Sequence, residues 1–489
     1  MDFIEGADRN QMTLLPESIE DFITEDNPVR VIEAYISSLN LKDLEFAKHT
    51  PNSTGRPMYD PKDLLKLYLY GYMNRIRSSR KLEAETKRNL EVMWLLKMIS
   101  PDHKTIARFR RDNPVALKNV FRDFVRLCYE QGFIGGELVA VDGSKFRAVN
   151  SKDRNFTKKK LDQRIGRIDA KISEYIGLLD ETDDLESDDM NLSAADIKAI
   201  VGELAERRQR YTDYRKDLEE TDQSQKSLTD PDSRLMLSNG KTDVCYNIQT
   251  AVDSKFKFIT EFDVTNHAAD TNHLGPMVNM ASEVLGVESL TVVADKGYNA
   301  ATDIAQCIRE GHDPHVHGAE MEICIPADPG QGEVIESHTN GRTVYIPERN
   351  VAICPMGQIL YPGYYRKSSI EGVFYNQKAC NRCTCKCAKG KRYRFQFGMP
   401  ESEFSKEYDD SNLEVKKVEV IPDRELVRQR KSIVEHPFGT LKRQMSSDHC
   451  LTKGIESVRG EFSLSFLAFN LKRAINIMGV PQLVWVLSS

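Results

Sequence analysis

Two short runs constrain this chain more than any other feature: residues 137–142 (ELVAVD) and 290–295 (LTVVAD). Each is an apolar stretch with β-branched residues, bounded by turn signals, and so predicts a buried strand. Both finish on an aspartate. If the strands are parallel neighbours, their ends lie about 4.8 Å apart. Asp142 and Asp295 then converge at the carboxyl edge of a sheet, where open α/β sheets bind ligands. Taken alone, Asp142 before Gly143 also reads as a turn residue; the pair is the stronger signal.

The rest of the chain supplies the setting. Residues 15–130 read as helical. Leu64, Leu65, Tyr68 and Leu69 share one face of a packed helix, and further helices are expected at 79–98 and 104–112. The last of these carries Arg108, Arg110 and Arg111, which are expected to be exposed. A short turn leading into a basic helix is compatible with helix-turn-helix DNA binding, and equally with a helical bundle that has a basic surface. Beyond Asp142, two apolar stripes (Leu161 to Leu179, Ile197 to Leu218) predict a helical hairpin over roughly 155–222. Strands follow at CYNIQTAVD and KFKFITEFDVT, with Asp253 in the turn between them. A helix at 272–285, the strand 290–295, a helix near 301–310 and a strand at 323–327 complete this part. Residues 328–415 are rich in Gly, Pro, Cys and Lys and read as an insertion. Helices return at 423–445 and 458–478.

Without 150–230 and 328–415, the order is strand, hairpin, helix, strand, helix, strand, helix, helix. That is the order of a ribonuclease H-like α/β fold. The expected architecture is therefore an all-α domain, 1–135, followed by a ribonuclease H-like mixed sheet with helices, 136–489. The second domain carries a helical-hairpin insertion (150–230) and a Cys-rich insertion (328–415).

Composition bounds the classes. Forty per cent hydrophobic and 29% charged residues suit a soluble protein with real cores. No apolar run approaches the roughly 20 residues of a membrane span, and the acidic N-terminus lacks a signal-peptide pattern. A cytoplasmic location and no membrane partner are expected. Net charge is −6, yet residues 60–113 hold 13 Lys/Arg against 7 Asp/Glu, and a local basic face can bind phosphates on an acidic protein.

A third acid stands in RELVRQRKSIVEHPFGTLKRQM. At 100° per residue, Arg428, Lys431, Glu435 and Lys442 fall within about 60° of one another. Three cations around one acid suit a helix beside DNA, where the cations meet phosphates; a salt-bridge ladder is the alternative. Pro437 breaks a helical hydrogen bond and makes Lys442 the least secure member of the stripe.

Ten cysteines in a cytosolic chain point to reduced thiols or metal ligands. Five cluster between 354 and 387. A structural zinc site can be drawn from Cys354, Cys380, Cys383 and Cys387, with Cys385 the alternative fourth thiolate. Incidental thiols are the competing reading.

The motifs VAVDGSKFRAVNS, VVADKGYNA and RQRKSIVEHPFGTLKR, in that order, resemble the DDE transposases of bacterial insertion sequences. SSRKLEAETKRNLEVMWLL followed by DHKTIARFRRDN is similar to that family's N-terminal domain. One branch has a Y-x2-R-x3-E-x6-K signature. Here Glu435 and Lys442 keep its spacing, but Arg428 stands for the tyrosine and Lys431 for the arginine. The resemblance implies an acid triad of Asp142, Asp295 and Glu435 holding two Mg²⁺ (or Mn²⁺) ions for cleavage and joining of DNA. It implies recognition of terminal inverted repeats on double-stranded DNA, a target DNA, and a homo-oligomer on the DNA. The rivals are a ribonuclease H-like nuclease that does not join, and a non-catalytic DNA-binding descendant.

Overall fold

The computed structural model of the protein describes residues 18–47, 50, 57–184, 194–221, 225–238, 240–326, 343–354, 356–383, 395–410 and 415–488. Six helices come first: α1 (Val29–Ser38), α2 (Pro61–Met73), α3 (Ser79–Glu85), α4 (Leu90–Leu95), α5 (His103–Asp112) and α6 (Pro114–Glu130). Their starts follow local chemistry. Asp60 accepts from the Lys62 N–H ahead of Pro61 at the head of α2, and Asp102 accepts from the N–H groups of Lys104 and Thr105. The single helix expected over 79–98 is two. The Asn89 side chain takes the N–H groups of Glu91 and Val92 and starts α4 afresh, an N-cap that outcompetes continuation.

The sheet is mixed. β1 (Leu138–Arg147) is followed by β2 (Asn155–Thr157), the long helices α7 (Lys158–Asp184) and α8 (Ala194–Glu220), and β3 (Gln225–Ser227), which pairs with β2. Then come β4 (Arg234–Ser238), β5 (Lys241–Asp253), β6 (Ile259–Thr265), α9 (Leu274–Leu285), β7 (Thr291–Ala294), α10 (Ala301–Arg309) and β8 (Asp313–Val316). The strand order is β4-β5-β1-β7-β8, with β6 also on β5. β5 runs antiparallel to β1, β4 and β6, while β1, β7 and β8 are parallel.

The strand expected at 323–327 does not continue this sheet. β8, at 313–316, takes the place beside β7. It reads DPHV, too short and polar to announce itself. The apolar run instead forms β9 (Met321–Pro326), which pairs antiparallel with β15 (Val415–Val420). Between them lie β10 (Val344–Ile346), β11 (Val351–Ile353), β12 (Ile359–Arg366), β13 (Glu371–Tyr375), α11 (Gln377–Arg382) and β14 (Phe395–Gly398). The five strands make an antiparallel sheet in chain order, with its own apolar centre including Tyr345, Leu360, Phe374 and Met399. The chain ends in α12 (Arg424–Gly439), α13 (Ile455–Met478) and α14 (Val480–Ser488).

A boundary at 135 does not separate two cores. One apolar cluster runs from Ile23 in the helical region through Val139 and Val292 in the sheet to Leu487. α13 is its axle: it packs on α2, α6 and β6, and Phe462, Phe466 and Leu471 are fully buried. Charges cross the same boundary. Arg77 pairs with buried Glu461 and donates to the carbonyls of Ser446 and His449. Lys118 and Arg122 both pair with buried Glu261 on β6. Removing one partner of such a pair strands a buried charge, at a cost of about 3–5 kcal/mol. Among the described residues, no helix is long and apolar enough to cross a membrane.

Candidate active site

The two strand aspartates meet. β1 and β7 pair in parallel from Leu138↔Thr291 to Ala140↔Val293. Two residues further along each chain stand Asp142 and Asp295, at one level of the register. Asp295 follows β7 and caps the turn Lys296–Tyr298, its Oδ1 accepting the Gly297 N–H at 2.8 Å. Asp142 departs from expectation: it lies inside β1, not at its end. β5 stays paired with β1 as far as Arg147↔Cys245, so the strand runs five residues past Asp142. Asp253, expected as a plain turn residue, is fully buried, and its Oδ2 accepts the N–H groups of Gly135 and Gly136. It anchors the loop entering β1.

Asp142 is electrostatically loaded. Burial pushes its carboxyl up to about 6; Arg430 opposes the rise, while Asp295 and, more weakly, Asp270 add to it. Arg430 reaches from α12 and places Nη1 3.2 Å from Asp142 Oδ2.

Asp270 is a residue that sequence reasoning missed. Its Oδ1 accepts from Asn247 Nδ2 at 2.7 Å, Gln249 Nε2 at 2.9 Å and Lys145 Nζ at 3.2 Å. Burial works to raise its pKa, but the Asn247 hydrogen bond, the Lys145 charge and Gln249 carry it below the ordinary value. Gly143 makes room for it. A Cβ on Gly143 would stand 2.6 Å from Asp270 Oδ1, and one on Gly297 would stand 3.0 Å from Asp295 Oδ1. Any larger residue at 143 would push into this acid. Tyr298 donates to Gln249, closing the floor. The available signal was on β5, where Asn247 and Gln249 are polar yet fully buried in an apolar strand.

α12 starts at Asp423, which accepts from the N–H groups of Glu425 and Leu426, and packs over β1, β7 and β8. Arg428 and Lys431 line a cavity of about 690 Å³ together with Asp295, His317, Arg424 and Arg430. Glu435, by contrast, is exposed. It stands about 140° around the helix from Arg430. Pro437 lies within α12, and a π-helical turn follows at Thr440–Gln444. That turn takes Lys442 off the exposed stripe. Its Nζ donates to Ser144 Oγ at 2.6 Å and the Lys145 carbonyl at 3.1 Å, 4.4 Å from the Phe146 ring centre. Lys442 is thus a clamp on β1, and burial lowers its pKa.

One further expectation needs correction. Arg110 is not exposed with Arg108 and Arg111: it lies over the Tyr68 ring at 5.5 Å and donates to the Tyr72 hydroxyl at 3.0 Å. Arg108 and Arg111 do face solvent, Arg111 beside Asp112. In the second sheet, Cys354 is buried and accepts the Gln358 N–H. Burial and the neighbouring Cys383 raise its pKa, and burial, Cys354 and Cys383 raise that of Cys380. Three thiols therefore share one neighbourhood, while Cys385 and Cys387 lie outside the described residues. Among the described residues, no group of three or more His, Cys, Asp or Glu is gathered closely enough to hold a metal. That applies to the thiols and to the acid triad alike.

A family model described as "Transposase domain (DUF772)" matches residues 17–112, and one described as "Transposase DDE domain" matches residues 353–475. The second match contains Glu435 and the thiols but neither aspartate. Comparison with curated proteins gives no match. Among solved structures, a piggyBac transposase synaptic complex with hairpin DNA is similar at 9% identity. The likeness covers 95% of this chain and 79% of that one, with a TM-score of 0.28, too low to carry an argument. A transposase domain model ahead of a transposase DDE domain model supports a DDE transposase, and nothing in these matches singles out the YREK-type branch.

Proposed function

We propose that this protein cleaves DNA at the ends of its own element and joins the freed 3′-hydroxyls to target DNA. The observation that carries this reading is the meeting of Asp142 and Asp295 on adjacent parallel strands, beside a cavity lined by Arg424, Arg428 and Lys431. The strand order supports a ribonuclease H-like core: β5 and β6 form an antiparallel hairpin on one side of β1, and β7 and β8 run parallel to it on the other. α7–α8 and the β10–β14 sheet then read as two insertions.

Each residue has a role in this reading. Asp142, Asp295 and Glu435 would hold Mg²⁺ or Mn²⁺, with Glu435 turning inward from α12. An all-oxygen donor set suits these hard cations, and two acids, one held near 6, are a pair that a divalent cation would stabilise in the charged form. The bound ions would supply charge stabilisation at the attacking and leaving oxygens. Arg430 orients Asp142 and favours its ionised state. Arg428 and Lys431 bind the phosphates flanking the scissile bond. Asp270, fixed by Asn247, Gln249 and Lys145, supports the floor, and Lys442 fixes β1 beyond Asp142. Arg108 and Arg111 contribute to recognition of the terminal inverted repeats, and the chain works on DNA as a homo-oligomer. Cys354, Cys380 and Cys383, with Cys385 or Cys387, hold a structural zinc ion.

The experiment is a cleavage and strand-transfer assay on duplexes bearing the element's ends. Mg²⁺ or Mn²⁺ should support both nicked and joined products, and Ca²⁺, with its looser coordination, should support little of either. Nicked products that are never joined would reduce the reading to a nuclease.

A further inference from the structure

The helices α7 and α8 are each 27 residues, about 40 Å long. They run antiparallel: Asp162 pairs with Arg215 and Asp169 with Arg208. These ion pairs close one side of the hairpin. Phe156, Leu161, Ile168, Tyr211 and Leu218 fill its centre.

The other side is not balanced in this way. Arg164, Arg167 and Lys171 are spaced i, i+3, i+7 on α7 and so share one stripe. With Arg207 of α8 they line a cavity of about 310 Å³ over Tyr211. Arg207 also lines the adjoining groove with Arg210, Glu203 and Glu206. Arg164 and Arg207 both donate to the Tyr211 hydroxyl, at 3.0 and 3.3 Å. Burial pushes that phenol up, but the two arginines carry it below its usual range. Among the described residues, none of these five cations forms an ion pair with a carboxylate. Converging like charges are unfavourable in an isolated hairpin, and the cost is offset when an anion bridges them.

We propose that this face of the α7–α8 hairpin binds the phosphate backbone of duplex DNA outside the catalytic cleft. The proposal rests on the reading that the chain acts on DNA. The row from Arg164 to Lys171 extends about 10 Å along α7, which matches a linear polyanion rather than a single phosphate. Duplex DNA presents one charge per about 1.7 Å of axis. The hairpin also springs from the strand that carries Asp142, through a segment with exposed Lys152, Arg154 and Lys159.

The test uses the full chain and a random-sequence duplex long enough to cross both sheet and hairpin, titrated between about 50 and 200 mM salt. The variant combines Arg167→Gln, Lys171→Gln and Arg210→Gln, leaving the two arginines that hold Tyr211. The slope of log affinity against log salt should become shallower by about 2.7, at about 0.9 for each phosphate no longer neutralised. Thermal stability should be no lower than wild type, because repulsion is relieved. Lys198→Gln with Lys216→Gln, on the opposite side of α8, should leave the slope unchanged. An unchanged slope in the triple variant overturns the proposal. So does a changed self-association with DNA binding intact, which would assign the face to a second copy's acidic segment 180–190. If the wild-type chain itself shows no salt-dependent binding, the DNA reading falls together with this surface.

Discussion

Replacing Asp142 by asparagine shows how the site carries its charge in the absence of metal. The carboxyl is held at about 6 against an ordinary 3.8, mainly by burial, and the opposing attraction of Arg430 is already contained in that value. The side chain is 22% exposed, so screening is limited. A raised folded-state pKa means that the native protein holds this proton more tightly than the unfolded chain does. The associated stability is fully present below about pH 4 and is lost as pH rises through about 6. The gap between 3.8 and about 6 corresponds to about 3 kcal/mol. Asparagine imitates the protonated acid. Metal-free Asp142→Asn should therefore exceed wild type by up to about 3 kcal/mol near pH 7.5 and match it near pH 4. Urea unfolding in chelator at both pH values measures this, and the difference between the two proteins cancels the titrating groups remote from Asp142. Saturating Mg²⁺ should then favour wild type, since a cation that binds only the native state stabilises it by mass action. A stability difference that does not change with pH would refute the reasoning, as would a metal-free wild type that is the more stable protein at neutral pH.

Three other outcomes follow from the same geometry. Arg428→Ala with Lys431→Ala should weaken DNA binding and reduce the salt slope by about 2 in a filter or gel assay, with unfolding unchanged within about 0.5 kcal/mol. Arg110→Ala should destabilise the fold by about 2 kcal/mol, because the guanidinium no longer stacks on Tyr68 or donates to Tyr72; Arg108→Ala and Arg111→Ala should leave stability alone and lower affinity for the element's ends. Metal analysis of untagged, reduced protein should find about one zinc per chain, absent from Cys380→Ser and Cys383→Ser, and protein free of zinc would leave the cluster as ordinary thiols.

The sheet was legible because apolar runs ending in Asp are a strong local signal. ELVAVD and LTVVAD became β1 and β7, side by side and parallel. The helical pair was legible from its stripes, since Leu161, Ile168 and Leu218 do form its seam. Pairing partners were not legible. β1 extends beyond Asp142 because β5 accompanies it, and β8 was hidden in DPHV while the more apolar 321–326 went to another sheet. Orientation was the other gap. A basic helix does not reveal which arginine turns inward, and Arg110 did so because two tyrosines wait beneath it. A stripe drawn at 100° per residue also failed past Pro437, where the π-turn reset the phase and sent Lys442 to β1. Asp270 was invisible because its partners are contributed by β1 and β5, more than 20 residues away in sequence.

The most direct measurement is the rate of nicking and joining of end-bearing DNA in Mg²⁺ by wild type, Asp142→Asn, Asp295→Asn and Glu435→Gln, each first shown to be folded and DNA-bound. The three substitutions are nearly isosteric, and Glu435 in particular is exposed and supports no part of the core, so structure should survive in all. If the three acids act together on the phosphoryl group, each variant should lose both activities by about 10³-fold or more, since removing one transition-state interaction of about 4 kcal/mol accounts for that factor. A variant that cleaves within a few-fold of wild type would contradict the assignment of that acid, and Glu435→Gln cleaving normally would remove α12 from the catalytic centre.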